Sequence, residues 1–470
     1  LLAGSWEDRS DTIDVRDPYD NSIIDTVPSA TVDDVEIALS AAAAAADTAR
    51  KLTTYERAQI LFRTAAIVDA NLEGFARTIA REGSKTIREA RKEASRCVNT
   101  LTVSGEEAKR LTGETIAVDS FPGGEQRRGH YDRVPIGVVL AITPFNDPLN
   151  VVAHKLGPAI AGGNAVILKP ATVTPLSALK LTEALLEAGL PGDVLQTVTG
   201  HGSVLGDVLV ADPRVRMVSF TGGVEAGERI MGKVGLKKVG MELGSNSPVI
   251  VWHDADLDWA VETCVSGAFW AAGQNCIGVQ RIYIHRDVFE VFRDRFVKHT
   301  TAYRIGDKLD ETTDMGPMIT QSEAERVERW IQDARAKGAT VLSGGGRDGA
   351  LVQPTVLENV PADATLHSEE VFGPTVNLYP VDDLDEALEK ANSINFGLHA
   401  AGFSRDLETA YRMAEGLDAG GVMINDSTDY RLDSMPFGGI KNSGLGREGI
   451  RFSLQEMTEP KVVCWYLPGV

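Results

Sequence analysis

Three residues of this sequence are of the types that carry out covalent chemistry on a carbonyl group. Cys276, within Gly273–Ile277, is a candidate nucleophile, because a thiolate attacks carbonyl carbons readily. Glu242 lies among apolar residues and glycines, a setting that raises a carboxyl pKa and suits a general base. Asn146 follows an apolar run, where its amide can donate hydrogen bonds to a developing oxyanion. Taken alone, each also has an ordinary explanation as a buried thiol, a salt-bridged carboxylate or a turn residue.

Two further candidates stand at the ends of apolar runs and suit a nucleotide ligand. Lys169 closes the run Ala165–Leu168, where its ammonium group can hydrogen-bond ribose hydroxyls. Phe220–Gly223 ends another run and precedes a helical pattern, so its backbone N–H groups can face an anion such as a pyrophosphate. No G-x-G-x-x-G segment follows a strand, so the sequence does not predict a standard Rossmann phosphate loop.

Alternating strands and helices must position these residues. Helical patterns such as Pro175–Ala188 separate several short apolar runs, which predicts a buried parallel sheet with right-handed crossovers and ligands at its carboxyl edge. A second alternation begins near the run at 248 and predicts a second α/β domain. The predicted strands are Val134–Thr143, Ala165–Leu168, Val194–Val198, Val215–Phe220, Pro248–Trp252 and Arg281–Ile284, and later helices are Ser322–Lys337 and Leu384–Asn392.

The two ends of the chain show different patterns. Thr31 with Asp34, and Thr53 with Glu56, have the spacing of capping boxes and predict helix starts in an N-terminal helical layer. The glycine-rich segment 112–133 favours an extended β-arm. The pattern of Glu459–Tyr466 predicts a strand that pairs outside its own domain.

The overall composition excludes several classes of protein. The 470 residues are 43% hydrophobic and 24% charged, typical of a globular protein and not of a disordered one. No apolar run approaches the roughly 18 residues of a membrane-spanning helix. The net charge of −20 argues against nucleic acid or anionic membranes as partners. The four cysteines are irregularly spaced, so we expect no disulfide framework, no metal site and a reducing, cytoplasmic setting.

In their order and spacing, these segments resemble the aldehyde dehydrogenase superfamily over nearly the whole chain. The resemblance is strongest to the branch of lactaldehyde, phosphonoacetaldehyde and non-phosphorylating glyceraldehyde-3-phosphate dehydrogenases, through the segment Asn425–Arg431. The segments that carry it are Pro144–Asn146, Lys169-Pro170, Phe220–Gly223, Glu242–Gly244, Gly273–Cys276, Glu370–Pro374, Asn395–Leu398 and Pro436–Gly439.

The resemblance implies the fold and the assembly. It predicts an α/β protein with a Rossmann-like cofactor domain over 1–118 and 138–243 and an α/β catalytic domain over 244–450. A β oligomerisation arm would combine 119–137 with 451–470, and the chain would form a homodimer or homotetramer through it.

The resemblance also implies the chemistry. Cys276 would attack the aldehyde, Asn146 would hold the oxyanion of the thiohemiacetal, and Glu242 would activate water to hydrolyse the resulting thioester. The cofactor would be NAD or NADP, since Thr172 stands where strict NAD enzymes of the family often carry a glutamate that repels a 2′-phosphate. The cofactor-binding residues would be Ile142, Thr143, Pro144, Phe145, Lys169, Thr172, Gly202, Phe220, Gly222, Gly223, Leu243, Glu370 and Phe372.

By the same resemblance, four residues would line the substrate end: Asp147, His154, Asn275 and Arg431. They indicate a small polar or anionic aldehyde as substrate. An arginine in a narrow tunnel needs a negative partner, so Arg431 binds either the substrate or an internal carboxylate of Asp147, Asp429 or Asp433. Two alternatives remain open: a CoA-acylating semialdehyde dehydrogenase, which typically lacks the general base, and a catalytically silent family member with a structural role.

Overall fold

Helices and strands alternate along most of the chain in the computed structural model, which describes residues 1–469. Its helices are α1 Val32–Lys51, α2 Thr54–Ala70, α3 Leu72–Glu82, α4 Ile87–Arg110, α5 Asn150–Ala161, α6 Leu176–Glu187, α7 Gly202–Ala211, α8 Val224–Met231, α9 Leu257–Phe269, α10 Arg286–Thr301, α11 Gln321–Ala336, α12 Thr365–Ser368, α13 Leu384–Asn392, α14 Leu407–Gly416 and α15 Ile450–Glu456. Two 3₁₀ turns cover Val118–Ser120 and Trp270–Gly273.

The strands form two large sheets and several small ones. They are β1 Thr12–Arg16, β2 Ile23–Pro28, β3 Glu114–Ile116, β4 Arg127–Pro135, β5 Val138–Ile142, β6 Ala165–Lys169, β7 Leu195–Thr197, β8 Val215–Thr221, β9 Lys238–Glu242, β10 Ser247–Val251, β11 Val279–His285, β12 Thr340–Ser343, β13 Arg347–Asp348, β14 Leu351–Val352, β15 Thr355–Glu358, β16 Thr375–Val381, β17 Phe396–Gly397, β18 His399–Phe403, β19 Gly421–Ile424, β20 Ile440–Lys441, β21 Gly444–Leu445 and β22 Thr458–Tyr466.

The first large sheet has the strand order β21-β9-β8-β5-β6-β7. All its neighbours are parallel except the short β21, which runs antiparallel to β9. The strand order reverses between β5 and β8, and at such a switch point the chain leaves the two strands in opposite directions and opens a crevice. The predicted Rossmann-like sheet is confirmed, and its crevice lies directly beyond the residues that follow β5 and β8.

Helices cover both faces of this sheet. Helices α2 to α6 pack on one face through a large apolar cluster, while α1 and α7 pack on the other. The two predicted capping boxes are confirmed at Thr31–Asp34 and Thr53–Glu56, and a third, Thr86–Glu89, begins α4. Caps of this kind contribute about 1 kcal/mol each to helix stability.

The second large sheet has the order β12-β15-β16-β11-β10-β18-β19. It is parallel apart from β12, and buried apolar residues cover both its faces. The amino ends of β10, β11 and β16 meet the carboxyl edge of the first sheet, because β9 leads through a short loop directly into β10. Residues before these three strands therefore face the crevice.

The prediction of one strand over Val134–Thr143 is wrong. The run contains the end of β4 and all of β5, which belong to different sheets. Gly137 separates them with φ of +118°, a left-handed conformation that favours glycine, and its N–H donates to Asn164 Oδ1 at 3.1 Å. A continuous apolar composition hid this turn.

A three-stranded antiparallel sheet, β22-β4-β3, forms the region predicted as an arm. It includes β3, which begins before the predicted start at 119. Helix α15, within the predicted arm segment, packs instead on α4 and α5 with Ile450 and Leu454 buried. The last predicted arm residue, Val470, lies outside the described residues. Within residues 1–469 the structure contains no helix long and apolar enough to cross a membrane.

Candidate active site

A cavity of about 950 Å³ opens where the carboxyl edge of the first sheet meets the amino edge of the second. Most residues predicted for the site line it: Asn146, Glu242, Cys276, Thr143, Pro144, Phe145, Phe220, Gly222, Gly223, Leu243, Glu370, Phe372, Asp147, Asn275 and Arg431. The other five predicted residues lie away from this lining: Ile142, Lys169, Thr172, Gly202 and His154. Chain segments far apart in sequence thus meet in one place.

The loop that carries Cys276 is held in a strained conformation. Ala271 and Ala272 have φ of +51° and +57°, a region that costs a non-glycine residue roughly 1–2 kcal/mol. Gly273 follows at φ +71°, and a side chain there would collide with the Gly373 carbonyl. Beyond the cysteine, the Thr428 hydroxyl donates to the Ile277 carbonyl at 2.6 Å. The thiol is therefore presented by a turn that is fixed on both sides.

The groups around Cys276 have opposite effects on the pKa of its thiol. Burial raises the pKa of the Cys276 thiol to about 12, while the positive charge of Arg431 lowers this pKa. Glu370, Glu242 and Glu448 raise it further. Arg431 is the group in this set that favours the nucleophilic thiolate.

Glu242 is the last residue of β9, where it pairs across the strand with Gly444. Its side chain is buried, and within the described residues its Oε2 atom has no hydrogen-bond partner. Burial raises its pKa well above the usual value, and the charge of Glu448 raises it further. A desolvated carboxylate beside the cavity has the properties of a general base.

Glu448 belongs to a buried ionic network that sequence reasoning missed. Lys155 Nζ contacts Glu448 Oε1 at 3.0 Å, and Arg431 Nη2 contacts Glu448 Oε2 at 3.2 Å. Burial alone would raise the pKa of Glu448, but the charges of Lys155 and Arg431 outweigh it and lower the pKa. The one sequence signal was Lys155, a charged residue in the otherwise apolar helix α5, which is buried throughout.

Arg431 has an internal partner, and it is none of the three carboxylates considered from the sequence. It pairs with Glu448, and its guanidinium lies 3.7 Å from the centre of the Phe437 ring. Its Nε atom is buried and has no partner among residues 1–469. The pairing with Glu448 therefore leaves one guanidinium donor of this cavity-lining residue without a partner in the described part of the chain.

Glu370 and Phe372 shape the part of the cavity next to β9. Glu370 Oε1 accepts a hydrogen bond from the Ser245 N–H at 2.8 Å, and burial raises the pKa of Glu370 to about 8. Gly244 makes this approach possible, because a side chain there would collide with the Glu370 carboxyl. Phe372, at φ +44°, packs edge-on against Phe145 with ring centres 5.7 Å apart.

The surroundings of β5 and β8 fit a nicotinamide dinucleotide. The hydroxyls of Thr143 and Thr221 are buried and have no partner within the described residues. A Cβ at Gly223 would meet nothing within 4 Å, so the N-terminus of α8 faces open space. Unpaired hydroxyls and a free helix N-terminus are the groups that bind phosphate and ribose oxygens.

Four predicted cofactor residues form a separate group at the next strand ends. Ile142 and Lys169 are register partners at the ends of β5 and β6. Lys169 Nζ donates to the Pro170 carbonyl at 3.1 Å, and burial lowers its pKa to about 8. Gly202 begins α7 beside the Lys169 side chain, and the Thr172 hydroxyl donates to the Gly200 carbonyl at 3.1 Å. The placement suits the far end of an extended dinucleotide.

The substrate end of the cavity is rich in charge. Asp147 pairs with the buried Lys85, and Arg96 Nη1 lies 3.7 Å from the second Asp147 oxygen. Lys92 stands 5.1 Å above the Trp270 ring, which also lines the cavity. Sequence reasoning found Asp147 and missed the cations, because α4 and the residues before it show no motif that distinguishes them from a packed helical layer.

His154 does not line the cavity, so its predicted place in the substrate tunnel is wrong. It is fully buried on α5, and its Nε2 lies 3.0 Å from Asp433 Oδ1. Burial and the charge of Arg431 lower the pKa of His154, so the neutral ring donates its Nε2–H to the ionised Asp433. Asp433 also accepts from Arg96 and Asn99 and anchors the loop that carries Arg431.

Comparison with models of known protein families matches the chain to the Aldehyde dehydrogenase family over residues 6–463. The chain belongs to the aldehyde dehydrogenase family. The predicted family and fold are confirmed, and so are the activity class, NAD(P)-dependent oxidation of an aldehyde to its carboxylic acid, and the choice of NAD or NADP as cofactor.

Two curated relatives of this aldehyde dehydrogenase match it over nearly their whole lengths. Aspartate-semialdehyde dehydrogenase 1 of Pseudomonas canavaninivorans is 51% identical, covering 97% of each chain. The 3-sulfolactaldehyde dehydrogenase of Priestia aryabhattai is 44% identical, covering 98% of this chain and 96% of the relative.

Two solved structures have the same fold. Aldehyde dehydrogenase 21 of Physcomitrella patens, in complex with the reaction product succinate, superposes with a TM-score of 0.97 at 38% identity, covering 100% of this chain and 98% of that one. Glyceraldehyde-3-phosphate dehydrogenase GapN of Methanocaldococcus jannaschii, complexed with NADP, superposes with a TM-score of 0.94 at 37% identity, covering 98% and 100%.

Proposed function

We propose that this aldehyde dehydrogenase works through Cys276, Asn146 and Glu242. The Cys276 thiolate attacks the aldehyde carbon, and the Asn146 amide donates to the oxyanion of the thiohemiacetal. A bound nicotinamide would supply the hydride acceptor, and loss of the hydride from the thiohemiacetal carbon leaves a thioester on Cys276. Glu242 removes a proton from water, whose oxygen attacks the thioester and releases the acid and the thiolate. Aldehyde, NAD(P)⁺ and water give carboxylic acid, NAD(P)H and a proton.

One observation carries this proposal: a nucleophile, an amide donor and a desolvated carboxylate from three separate segments line one cavity. That cavity continues to the open turn at Gly223, which suits a pyrophosphate. Glu242 also favours hydrolysis of the thioester over its transfer to CoA, because a buried base beside the cavity can activate water. The catalytically silent alternative has no support from the site, since both reacting groups reach the cavity.

The proposed substrate is a small aldehyde with an anionic group. Arg431, Arg96 and Lys92 line the cavity on the side away from the cofactor turn, and a carboxylate, sulfonate or phosphate can accept from them. The names of the relatives point the same way, since aspartate semialdehyde carries a carboxylate group and 3-sulfolactaldehyde carries a sulfonate group. Asn275 beside the thiol adds an uncharged polar contact at that end.

Both NAD and NADP fit the proposed cofactor site. Thr172 is uncharged, so position 172 does not repel a 2′-phosphate, and its hydroxyl donates to the Gly200 carbonyl. Assembly as a homodimer or homotetramer and a cytoplasmic location belong to the same proposal. The exposed sheet β22-β4-β3 supports the assembly. The four unpaired cysteines support the cytoplasmic location, because they suit a reducing compartment.

The test is a panel of aldehydes assayed with each cofactor by the absorbance of the reduced nicotinamide. Aspartate semialdehyde, succinate semialdehyde and 3-sulfolactaldehyde, which each carry an anionic group, are compared with the uncharged lactaldehyde and propanal. We expect the anionic aldehydes to have the higher kcat/KM, by at least about tenfold, the value of one charge-assisted hydrogen bond. Equal kcat/KM for propanal would contradict the anionic class.

The nucleophile is tested by replacing Cys276 and, as a control, a second cysteine. Cys276→Ala should lower turnover by several orders of magnitude while cofactor binding persists, as expected when a covalent nucleophile is removed. Cys264→Ala is the matched control, because Cys264 is fully buried on α9, away from the cavity lining. Substantial turnover by the Cys276→Ala variant would show that the assignment is wrong.

A further inference from the structure

Helix α4 carries two buried carboxylates, Glu89 and Glu93, one helical turn apart. The cycle of thiol attack and hydrolysis gives neither of them a role. Each accepts at least one hydrogen bond from a backbone N–H group of another segment. Those segments are the two loops that carry Cys276 and Asn146.

Glu89 holds the loop of the nucleophile. Its Oε1 accepts from the Ala271 N–H at 3.0 Å, while its Oε2 accepts from the Thr86 N–H at 2.8 Å in the capping box of α4. Ala271 is the first of the two alanines with positive φ before Gly273. The hydrogen bond therefore stabilises the strained turn at the point where the chain enters it.

Glu93 holds the loop of the amide donor. Its Oε1 accepts from the N–H groups of Leu149 and Asn150, at 2.8 and 3.0 Å. These two residues begin α5, three and four positions after Asn146. The other oxygen of Glu93 contacts the buried Lys85 at 2.7 Å, so its side chain is fixed at both oxygens.

We propose that Glu89 and Glu93 are positioning residues through which α4 sets the distance between the Cys276 thiol and the Asn146 amide. Four residues along a helix span about 6 Å, and this rigid spacing is transmitted to both loops. An oxyanion is stabilised only when its donors lie about 2.7–3.1 Å from it, so the distance between the two loops controls the rate. The proposal rests on the roles assigned above to Cys276 and Asn146.

The N-terminus of α4 is itself fixed to the second domain. The Ile87 N–H donates to the Lys308 carbonyl at 2.8 Å, and the buried Lys308 ammonium group donates to the carbonyls of Arg81 and Gly83 at 2.8 and 2.7 Å. Helix α4 is therefore anchored to both halves of the molecule, as an element that sets a distance between them requires.

The test separates the role of Glu89 in capping α4 from its hydrogen bond with the Ala271 N–H. Glu89→Ala removes both, whereas Glu56→Ala removes an equivalent capping box on α2, at an exposed site far from the cavity. We expect Glu89→Ala to slow the pre-steady-state burst of reduced cofactor at least about thirtyfold, since a displacement near 1 Å can cost a hundredfold. Glu56→Ala should leave the burst within about twofold, and both should bind cofactor normally.

Two further variants identify which loop moves. In Glu89→Ala the loosened turn should make alkylation of Cys276 by iodoacetamide at least about fivefold faster, because the partly buried thiol becomes more accessible to solvent. Glu93→Ala should also slow the burst, but should leave alkylation within about threefold. Adding Ala271→Gly to Glu89→Ala should recover part of the burst rate, because glycine adopts positive φ without strain.

A burst in Glu89→Ala as fast as in Glu56→Ala would overturn the proposal, as would a slow burst that Ala271→Gly leaves unchanged. If Glu89→Ala does not fold, Glu89→Gln replaces it. The glutamine side chain has a single acceptor oxygen, so we expect a burst rate between those of the wild type and a complete loss of the contacts. A Glu89→Gln burst at the wild-type rate would overturn the proposal. The Cys276→Ala variant tests the proposed function separately from this proposal. If that variant kept substantial turnover, Cys276 would not be the nucleophile, whatever the Glu89 variants show.

Discussion

Glu242 and Glu448 show how neighbouring carboxyl groups acquire different chemistry. Lys155 and Arg431 hold Glu448 in its ionised form, while burial and the nearby Glu448 charge raise the pKa of Glu242. The ionised Glu448 thus keeps the Glu242 carboxylate basic. A carboxylate that is desolvated and repelled by its neighbour takes a proton from water more readily than an exposed one.

This arrangement predicts that a Glu242 variant loses thioester hydrolysis and keeps acylation. Glu242→Gln should retain a burst of reduced cofactor about equal to the enzyme concentration, because acylation requires Cys276 and not the base. Steady-state turnover should fall by at least about a hundredfold, the usual contribution of a general base. Glu262→Gln, on the exposed face of α9, is the control. Loss of the burst with normal cofactor binding would place Glu242 in the activation of the thiol instead.

A second prediction concerns pH. The ionised form of Glu242 activates water, so thioester hydrolysis should increase as pH rises through its raised pKa. Glu448→Gln removes a negative charge and leaves Lys155 and Arg431 to act on Glu242, so this pKa falls. We expect the pH profile of single-turnover hydrolysis to move to lower pH by about one unit, equivalent to about 1.4 kcal/mol. An unchanged profile, or a shift to higher pH, would contradict the electrostatic coupling.

At the scale of elements, the sequence predicted what depends on local patterns. Apolar runs between turns located β5, β6 and β8, and threonine–carboxylate spacing located the starts of α1 and α2. The same reasoning failed where an element is defined by distant partners. Gly137 divides one apolar run between two sheets, and His154 turns away from the cavity because Asp433, far along the chain, accepts a hydrogen bond from its ring.

The candidate site shows the same division. Motif residues that resemble the family were found from the sequence, because they stand at strand ends whose position follows from the fold. Glu448 and Glu89 were missed, since each looks like an ordinary surface or capping residue until the tertiary structure buries it. Lys155 stands out as a charge within α5, but the sequence does not show that Glu448 is its partner. Their roles come from contacts such as that between Glu89 and Ala271, 182 residues apart. No local pattern encodes such pairs.

The loop after β19 provides a prediction at this scale. Thr428 ties that loop to the Cys276 loop through its hydrogen bond to the Ile277 carbonyl, and it is fully buried. Thr428→Val keeps the shape but leaves the carbonyl unpaired, which costs about 1–3 kcal/mol. We expect kcat/KM to fall about tenfold with cofactor binding unchanged. Thr301→Val, at an exposed helix end, should have no effect, and equal activity in both variants would contradict the link.

At the scale of the whole molecule, two sheets with opposite edges facing each other create one site. The first presents its carboxyl ends, which suit nucleotide binding, and the second presents the amino ends of β10, β11 and β16. Helix α4 and the loop after β19 cross between them. The third sheet, β22-β4-β3, takes no part in the cavity lining, and among the described residues the outer edges of β22 and β3 pair with no other strand.

That third sheet carries the last prediction. Strand β22 is nine residues long, and Val462, Trp465 and Tyr466 on it are 62%, 56% and 60% exposed. A long, apolar edge strand is a template for pairing with another chain, so we expect the arm to hold the oligomer together. Val462→Glu combined with Trp465→Glu should shift the protein to monomers in light scattering, because the charges cannot be buried between subunits. Leu407→Glu, at an exposed site on α14, is the control and should keep the assembly. Unchanged assembly of the double variant would show that other surfaces hold the subunits together.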